Sequence, residues 1–179
     1  MNVIPTRLVA ALLVAAMPIL SHSQQTGVQV LTHTHNEFAF AVHAPLEKAF
    51  PLFGAIEERN WAEGWLPTVL YPSPARDQQG MVFRVEHSHM SATWTCTAFD
   101  AAAGHVQYVC VVADAMVTLI DIHLTQAGAA ETHVSVTYER TALTPEANDH
   151  VAHLAKGDAQ SGPDWETAIN NYLAKPAAK

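Results

Sequence analysis

Apolar and polar residues alternate with a period of two over most of this chain, and such alternation predicts β-strands. The first alternating stretch begins at His35, after which Phe38, Phe40 and Val42 take every second position. Further stretches lie at 68–71, 81–89, 92–99, 105–112, 117–126 and 132–141. Most links between them are of hairpin length, so we expect an antiparallel sheet with one apolar and one solvated face. Prolines around 68–71 place that short strand at an edge of the sheet.

Two short helices are predicted directly after the first strand. Residues 45–50 begin with Pro45 and carry Glu47 in the first turn, a pattern typical of a helix start. After Gly54, residues 56–61 can form a second short helix.

The segment 144–174 predicts a long helix that closes the chain. Thr144-Pro145-Glu146 supplies a hydroxyl cap, a first-turn proline and an acid at the positive end of the helix dipole. Glycine and proline residues between 157 and 163 predict a break between its two halves. The second half has an apolar stripe formed by Trp165, Ala168, Ile169, Tyr172 and Leu173.

The first residues are expected to be a signal peptide rather than part of the fold. Arg7 gives a positive start, 8–20 form an apolar run, and Ser21-His22-Ser23 is a small-x-small cleavage site. Thirteen residues including Pro18 are too few for a stable membrane-spanning helix, although an uncleaved anchor is the alternative. We therefore expect a signal peptide over 1–23, a flexible leader over 24–34 and one domain over 35–175, located in the periplasm or secreted.

Charge narrows the possible partners. The net charge is −8, which disfavours nucleic acids and anionic membranes as partners. After signal cleavage no apolar run is long enough to span a membrane, and no cofactor-binding motif is found.

The order of strand, two short helices, about six strands and a long helix resembles the SRPBCC, or START-like, helix-grip superfamily, which includes polyketide cyclases and pollen-allergen-like proteins. The resemblance covers nearly the whole mature chain. The residues that carry it are Phe38-x-Phe-x-Val-x-Ala-Pro45, Ala49-Phe50, Trp61-x-x-Gly64-Trp65-x-Pro67, Leu70-Tyr71-Pro72, Gly80-x-Val82-Phe83, Thr93-Trp94, Phe99-Asp100, Val136-x-Tyr138-x-x-Thr141-Ala142-Leu143 and Trp165-x-x-Ala168-Ile169-x-x-Tyr172-Leu173.

This resemblance implies an α+β fold in which a curved antiparallel sheet of about six or seven strands wraps around the long C-terminal helix. It also implies a cavity between them for a small apolar molecule or lipid. The side chains expected to line it are Phe38, Phe40, Trp61, Trp65, Phe83, Val85, Trp94, Ile120, Ile122, Val136, Tyr138 and Tyr172. The alternative is that these side chains only fill the core.

The resemblance leaves the activity open, because one fold hosts many functions. The first hypothesis is an exported binding protein without catalysis; the second is a cyclase, dehydratase or isomerase that uses the same cavity. A third is a chaperone-like protein. An ionisable side chain inside the cavity with a perturbed pKa would favour the enzyme.

A pair of tryptophans and two pairs of histidines are further candidate site residues. Trp61 and Trp65 either border the mouth of the cavity or anchor the short helix, and anchoring is favoured. His87 and His89, and His150 and His153, have spacings acceptable for metal ligands, but no recognisable motif completes either pair, so no metal site is predicted.

A disulfide between Cys96 and Cys110 is possible if the protein is exported. Both lie on one predicted hairpin. A loop of 102–104 would place the two cysteines opposite each other, whereas a loop of 101–104 would point the thiols to opposite faces.

The signal peptide gives the first testable prediction. The exported protein should begin at or near Gln24, because Ser21-His22-Ser23 offers the cleavage site. N-terminal sequencing of the exported protein measures this directly, and a chain that begins at Met1 would contradict it.

Overall fold

Seven antiparallel strands form a single sheet in the computed structural model, which describes residues 30–87 and 90–175, without the side chains of His87 and Ala159. The strands are β1 (His33–Val42), β2 (Thr68–Tyr71), β3 (Val82–His87), β4 (Met90–Asp100), β5 (His105–Val112), β6 (Met116–Gly128) and β7 (Glu131–Ala142). Their order across the sheet is β1-β7-β6-β5-β4-β3-β2. The predicted sheet is therefore confirmed, with Thr68–Tyr71 at one edge, while His89 lies outside the described residues.

The two short helices after β1 are also present. Helix α1 (Leu46–Ala49) continues into a 3-10 helix, Phe50–Phe53, and a second 3-10 helix follows at Glu57–Asn60. After β7, a 3-10 turn, Pro145–Ala147, leads into the long helix α2 (Asn148–Leu173). No helix of the described chain is long and apolar enough to cross a membrane.

The predicted break at 157–163 is wrong, because α2 is one continuous helix of 26 residues. Pro163 lacks an N–H group and so removes one helical hydrogen bond, but its ring lies on the exposed side. Gly162 has a packing role: an added Cβ would lie 3.2 Å from Cδ2 of Phe38. Gly162 thus permits close approach of the helix to β1 rather than interrupting the helix.

Three polar side chains fasten α2 along β1. Asn148 Oδ1 accepts a hydrogen bond from the backbone N–H of Thr32 at 2.7 Å. At the other end, Asn170 accepts from the N–H of His43 at 2.8 Å and donates to the carbonyl of Ala41 at 2.9 Å. In the middle, Asp158 accepts from the side chain of Asn36 at 3.0 Å. Helix and strand therefore run in the same direction, joined at both ends and in the centre.

The two elements match in length. Between Asn148 and Asn170 an α-helix advances about 33 Å at ~1.5 Å per residue. Between Thr32 and His43 an extended strand advances about 36 Å at ~3.3 Å per residue. Because the spans agree, the anchors can form without bending either element, and α2 covers a strand that would otherwise be an open edge.

The central anchor includes a buried ion pair. Arg140 of β7 donates to Asp158, and the two residues are 9% and 4% exposed. The guanidinium also lies over the Tyr138 ring, 4.3 Å from its centroid. A buried charge without a partner is costly, so this pair fixes α2 against both β7 and β1.

The register of the β4–β5 hairpin decides between the two loops considered for the cysteines. The loop is 101–104, and a bulge between Cys96 and Ala98 shifts the pairing beyond it. Cys96 therefore faces Tyr108, and Cys110 faces Trp94. Both thiols are free, and burial raises the pKa of each to about 12, so they are uncharged and poorly nucleophilic.

The turn of this hairpin requires a glycine at its last position. Gly104 has a φ of +60°, and a Cβ there would collide with the carbonyl oxygen of Leu124. In return the Gly104 carbonyl accepts the Leu124 N–H at 2.7 Å. The turn is thus packed directly against β6.

Replacing Asp158 with asparagine should destabilise the fold strongly. The substitution leaves the Arg140 charge buried without a counter-ion, for which we expect a loss of about 3–5 kcal/mol in unfolding free energy. Urea denaturation measures this. Asp164→Asn is the control, since Asp164 lies exposed on the same helix and should change the free energy by less than about 0.5 kcal/mol. Equal effects of the two substitutions would contradict the role given to the ion pair.

Candidate ligand cavity

An internal cavity of about 70 Å³ lies between α2 and the apolar face of the sheet. Its walls are almost entirely aromatic or aliphatic, with one carboxyl among them. The lining residues are Glu58, Trp65, Trp94, Tyr108, Ile120, Ile122, Tyr138 and Trp165. An ionisable group among apolar walls is the arrangement in which desolvation has its largest effect on a pKa.

Glu58 reaches the cavity because aromatic side chains hold the segment before it. Trp61 Nε1 donates to the carbonyl of Leu52 at 2.7 Å, and Trp65 Nε1 donates to that of Ala55 at 2.8 Å. From β5, the hydroxyl of Tyr108 donates to the carbonyl of Phe53 at 2.9 Å. Trp61 therefore anchors the short helices, as the sequence favoured, whereas Trp65 anchors them and also lines the cavity.

Asp77 fixes the start of the 3-10 helix that carries Glu58. Its carboxylate accepts the N–H of Ile56 at 3.0 Å. Gly54 makes room for this carboxylate, which any Cβ at position 54 would overlap. Burial raises the pKa of Asp77, although hydrogen bonds from the backbone of Ile56 and Glu57 oppose the rise. Asp77 thus both positions Glu58 and contributes negative charge near it.

Glu58 is held in a state that favours its protonated form. Although the residue as a whole is half-buried, desolvation of its carboxyl raises its pKa to about 8, and the charge of Asp77 adds to the rise. Neither a hydrogen bond nor a cation among the described residues offsets these two effects. Near neutral pH the carboxyl is therefore mostly uncharged and can act as a hydrogen-bond donor or as a proton source.

Two tyrosines surround this carboxyl. Burial raises the pKa of Tyr138, and the charge of Glu58 raises it further, while the nearby Arg140 opposes the rise. Burial also raises the pKa of Tyr108, with smaller contributions from Cys96 and Glu58. Both phenols remain protonated. The Tyr108 hydroxyl donates its hydrogen bond to the carbonyl of Phe53.

Trp94 separates this cavity from a second, outer pocket. The outer pocket measures about 280 Å³ and lies between the first half of α2 and the neighbouring ends of β4, β5 and β6. Its lining residues are Met90, Ala92, Trp94, Cys110, Val112, Met116, His150 and Leu154. Among the residues that the structure describes, neither Trp94 Nε1 nor His150 Nε2 has a hydrogen-bond partner, although both atoms are buried.

The structure brings together part of the predicted lining set. Trp65, Trp94, Ile120, Ile122 and Tyr138 line the cavity. The others pack elsewhere: Phe40, Trp61, Phe83, Val85 and Val136 are buried in the core, while Phe38 and Tyr172 are partly buried against it.

Sequence reasoning missed Glu58, Tyr108 and Trp165. The alternation of β5 could have identified Tyr108, and the apolar stripe of α2 already contained Trp165. Glu58 lies in the run Glu57-Glu58-Arg59-Asn60, which has the composition of a solvated turn. The feature of the sequence that could have revealed Glu58 as a cavity residue is its position between Gly54 and Trp61.

The architecture is that of a known fold. The chain has the helix-grip fold, as its sequence resemblance to SRPBCC, or START-like, proteins implied. Norcoclaurine synthase from Thalictrum flavum superposes with a TM-score of 0.61 at 13% identity, over 90% of this chain and 100% of that one. The protein Mll3558 from Rhizobium loti gives 0.57 at 14% identity, over 80% and 99% of the two chains.

A further similar structure is that of Ara h 8.0201, with a TM-score of 0.55 at 14% identity, over 80% of this chain and 100% of that one. No protein-family model matches the chain, and no curated protein matches it in sequence. Identities this low show a shared fold and leave the function to be argued from the cavity.

The raised pKa of Glu58 makes the stability depend on pH. Below pH 4.5 the carboxyl is protonated in both the folded and the unfolded protein, so it has no effect. As the pH rises toward 8 the unfolded state loses this proton first, and the folded state becomes less stable. Above pH 8 the destabilisation is complete.

Glu58→Gln should therefore stabilise the protein relative to wild type at pH 9 and much less at pH 5. Urea denaturation at the two pH values measures the difference. Glu63→Gln is the matched control, since Glu63 is exposed nearby on the same connection. If the difference in unfolding free energy between Glu58→Gln and wild type were the same at both pH values, the raised pKa would be contradicted.

Proposed function

We propose that this is an exported protein that binds a small apolar or aromatic molecule with a hydrogen-bond acceptor in the cavity beneath α2. The observation that carries the proposal is the Glu58 carboxyl, which lies among aromatic walls without a compensating cation from the part of the chain that the structure describes. Export is proposed from Arg7, the 8–20 apolar run and Ser21-His22-Ser23.

Glu58 defines the polar group that the ligand should carry. With a pKa of about 8, roughly nine carboxyls in ten are protonated at pH 7. A protonated carboxyl in an apolar cavity donates one hydrogen bond, and leaving that donor unused costs about 1–3 kcal/mol. A carbonyl, ether or hydroxyl oxygen on the ligand would accept the bond, whereas a carboxylate would be disfavoured by the nearby negative charge of Asp77.

The walls define the rest of the ligand. A dry cavity that holds benzene has a volume of about 150 Å³ in a known example, more than the 70 Å³ available here. A ring-sized ligand therefore requires a wall to move, and Trp94 is the wall shared with the 280 Å³ outer pocket. Its indole N–H has no partner among the described residues, so turning the ring toward the outer pocket breaks no hydrogen bond.

Packing opposes that movement of Trp94. Its ring centroid lies 5.4 Å from that of Trp65, 5.7 Å from that of Phe83 and 6.2 Å from that of Tyr108. Aromatic pairs contribute about 0.5–1.5 kcal/mol each. Ligand rings that replace these contacts would recover part of this energy, which favours an aromatic ligand over an aliphatic one.

A second candidate function is acid–base catalysis by an enzyme of the cyclase, dehydratase or isomerase type. Glu58 favours it, because a carboxyl with a pKa of about 8 can both give and take a proton near neutral pH. One similar structure is a norcoclaurine synthase in complex with dopamine and hydroxybenzaldehyde. Its 12% identity supports only the idea that this fold can hold aromatic substrates.

Binding of benzaldehyde, compared with toluene, tests the first function. We expect saturable quenching of tryptophan fluorescence by both, with benzaldehyde bound about fivefold more tightly, because one hydrogen bond to Glu58 contributes about 1 kcal/mol. Ile120→Phe should abolish binding by filling the cavity. Val111→Phe, which adds the same ring on the exposed face of β5, should not. Absence of saturable binding, or equal binding by Ile120→Phe, would contradict the proposal.

Substitution of Glu58 separates the two functions. Glu58→Leu removes the donor and should bring benzaldehyde affinity down to that of toluene. Glu58→Gln keeps a donor but cannot transfer a proton, so it should bind benzaldehyde nearly as well as wild type. An activity on any aromatic carbonyl compound that Glu58→Gln abolishes, with binding retained, would establish the enzyme.

A further inference from the structure

Three potential metal ligands meet on the solvated face of the sheet, away from the cavity. Nε2 of His105 lies 2.7 Å from Oδ1 of Asp121, and Nε2 of His123 lies 3.1 Å from Oδ2 of the same carboxylate. One ligand atom from each of the three residues falls within 4.8 Å of the other two. No pattern in the sequence singled out this set, because its members come from two strands.

The strand register creates the arrangement. His105 of β5 and His123 of β6 are directly paired, and Gln107 pairs with Asp121 one step along the same face. The two imidazole rings are parallel, with an angle of 2° between their planes and 4.6 Å between their centroids. Both rings therefore present Nε2 to the same carboxylate, from a backbone that cannot easily rearrange.

The carboxylate is oriented by a fourth side chain. Gln107 Nε2 donates to Asp121 Oδ1 at 3.0 Å. A carboxylate held by an amide resembles a ligand with its outer support in place.

The set is open to a hydrated ion. The side chains of His105 and Asp121 are 28% and 27% exposed, and that of His123 is 53% exposed. His105 and His123 contact different oxygens of the same carboxylate, so the three side chains converge on one small region.

We propose that His105, Asp121 and His123 form a Zn²⁺ site whose fourth position is taken by water. Zinc bonds of about 2.0–2.1 Å in tetrahedral geometry place neighbouring ligand atoms about 3.3 Å apart. The two contacts of Asp121, 2.7 Å and 3.1 Å, would open by a few tenths of an ångström, and all three ligand atoms already lie within 4.8 Å of one another. Two imidazoles with one carboxylate suit Zn²⁺, whereas Mg²⁺ and Ca²⁺ prefer all-oxygen ligands.

Zinc titration of the protein, purified without a histidine tag and stripped with a chelator, tests this site. Calorimetry with ZnCl₂ should show one saturable site per chain, and MgCl₂ should show none. His123→Gln and Asp121→Asn should each weaken zinc binding at least about tenfold. His133→Ala is the control, because His133 is exposed on the same face of the neighbouring strand β7, and it should leave the affinity unchanged.

Two results would overturn the proposal. One is the absence of a saturable site; the other is a site whose affinity is the same in His123→Gln as in wild type, which would assign the zinc to other histidines. Melting of each metal-free variant shows whether it is folded. Zinc should raise the melting temperature of wild type and of His133→Ala but not that of His123→Gln.

Discussion

The attachment of α2 to β1 is the constraint on which the interior of this protein depends. The sheet curves, and one helix has to close its concave side. That helix is fixed along the strand by Asn148, Asp158 and Asn170. The distances between these anchors along the helix match the distances between their partners along the strand. The helix consequently cannot slide toward the middle of the sheet and fill it. The volume that remains between Trp165 and the facing strands is the cavity.

The same interior contains a group that apolar surroundings disfavour. Glu58 is held in the cavity because two indoles and a phenol donate to the backbone carbonyls of Leu52, Ala55 and Phe53, while Asp77 binds the backbone of Ile56. A solvated turn would leave the carboxyl in water at no cost. Folded proteins keep an unpaired ionisable group in such a position most often where it has a functional task. The architecture of the loop is in this way linked to ligand recognition.

The sequence predicted the strands well because alternation reports directly which face of a sheet is buried. It failed at 157–163, where glycine and proline usually interrupt a helix, because a buried Arg140–Asp158 pair across the fold stabilises the helix there. It left the cysteine hairpin open between two loops, 102–104 and 101–104, and it could not foresee the one-residue bulge after Cys96, which leaves no mark in the alternation. Glu58 escaped notice for a related reason: its burial depends on Trp61, Trp65 and Tyr108, which come from later in the chain.

The protonation of Glu58 is the central claim of this account, and NMR measures it most directly. The side-chain carboxyl carbon of Glu58, assigned by comparison with Glu58→Gln, should titrate with a midpoint near pH 8. Addition of benzaldehyde should move the midpoint higher, because the ligand binds the protonated form. A midpoint near the ordinary glutamate value of about 4.3 would mean that the carboxyl is solvated, and it would contradict both the binding mode and the acid–base alternative.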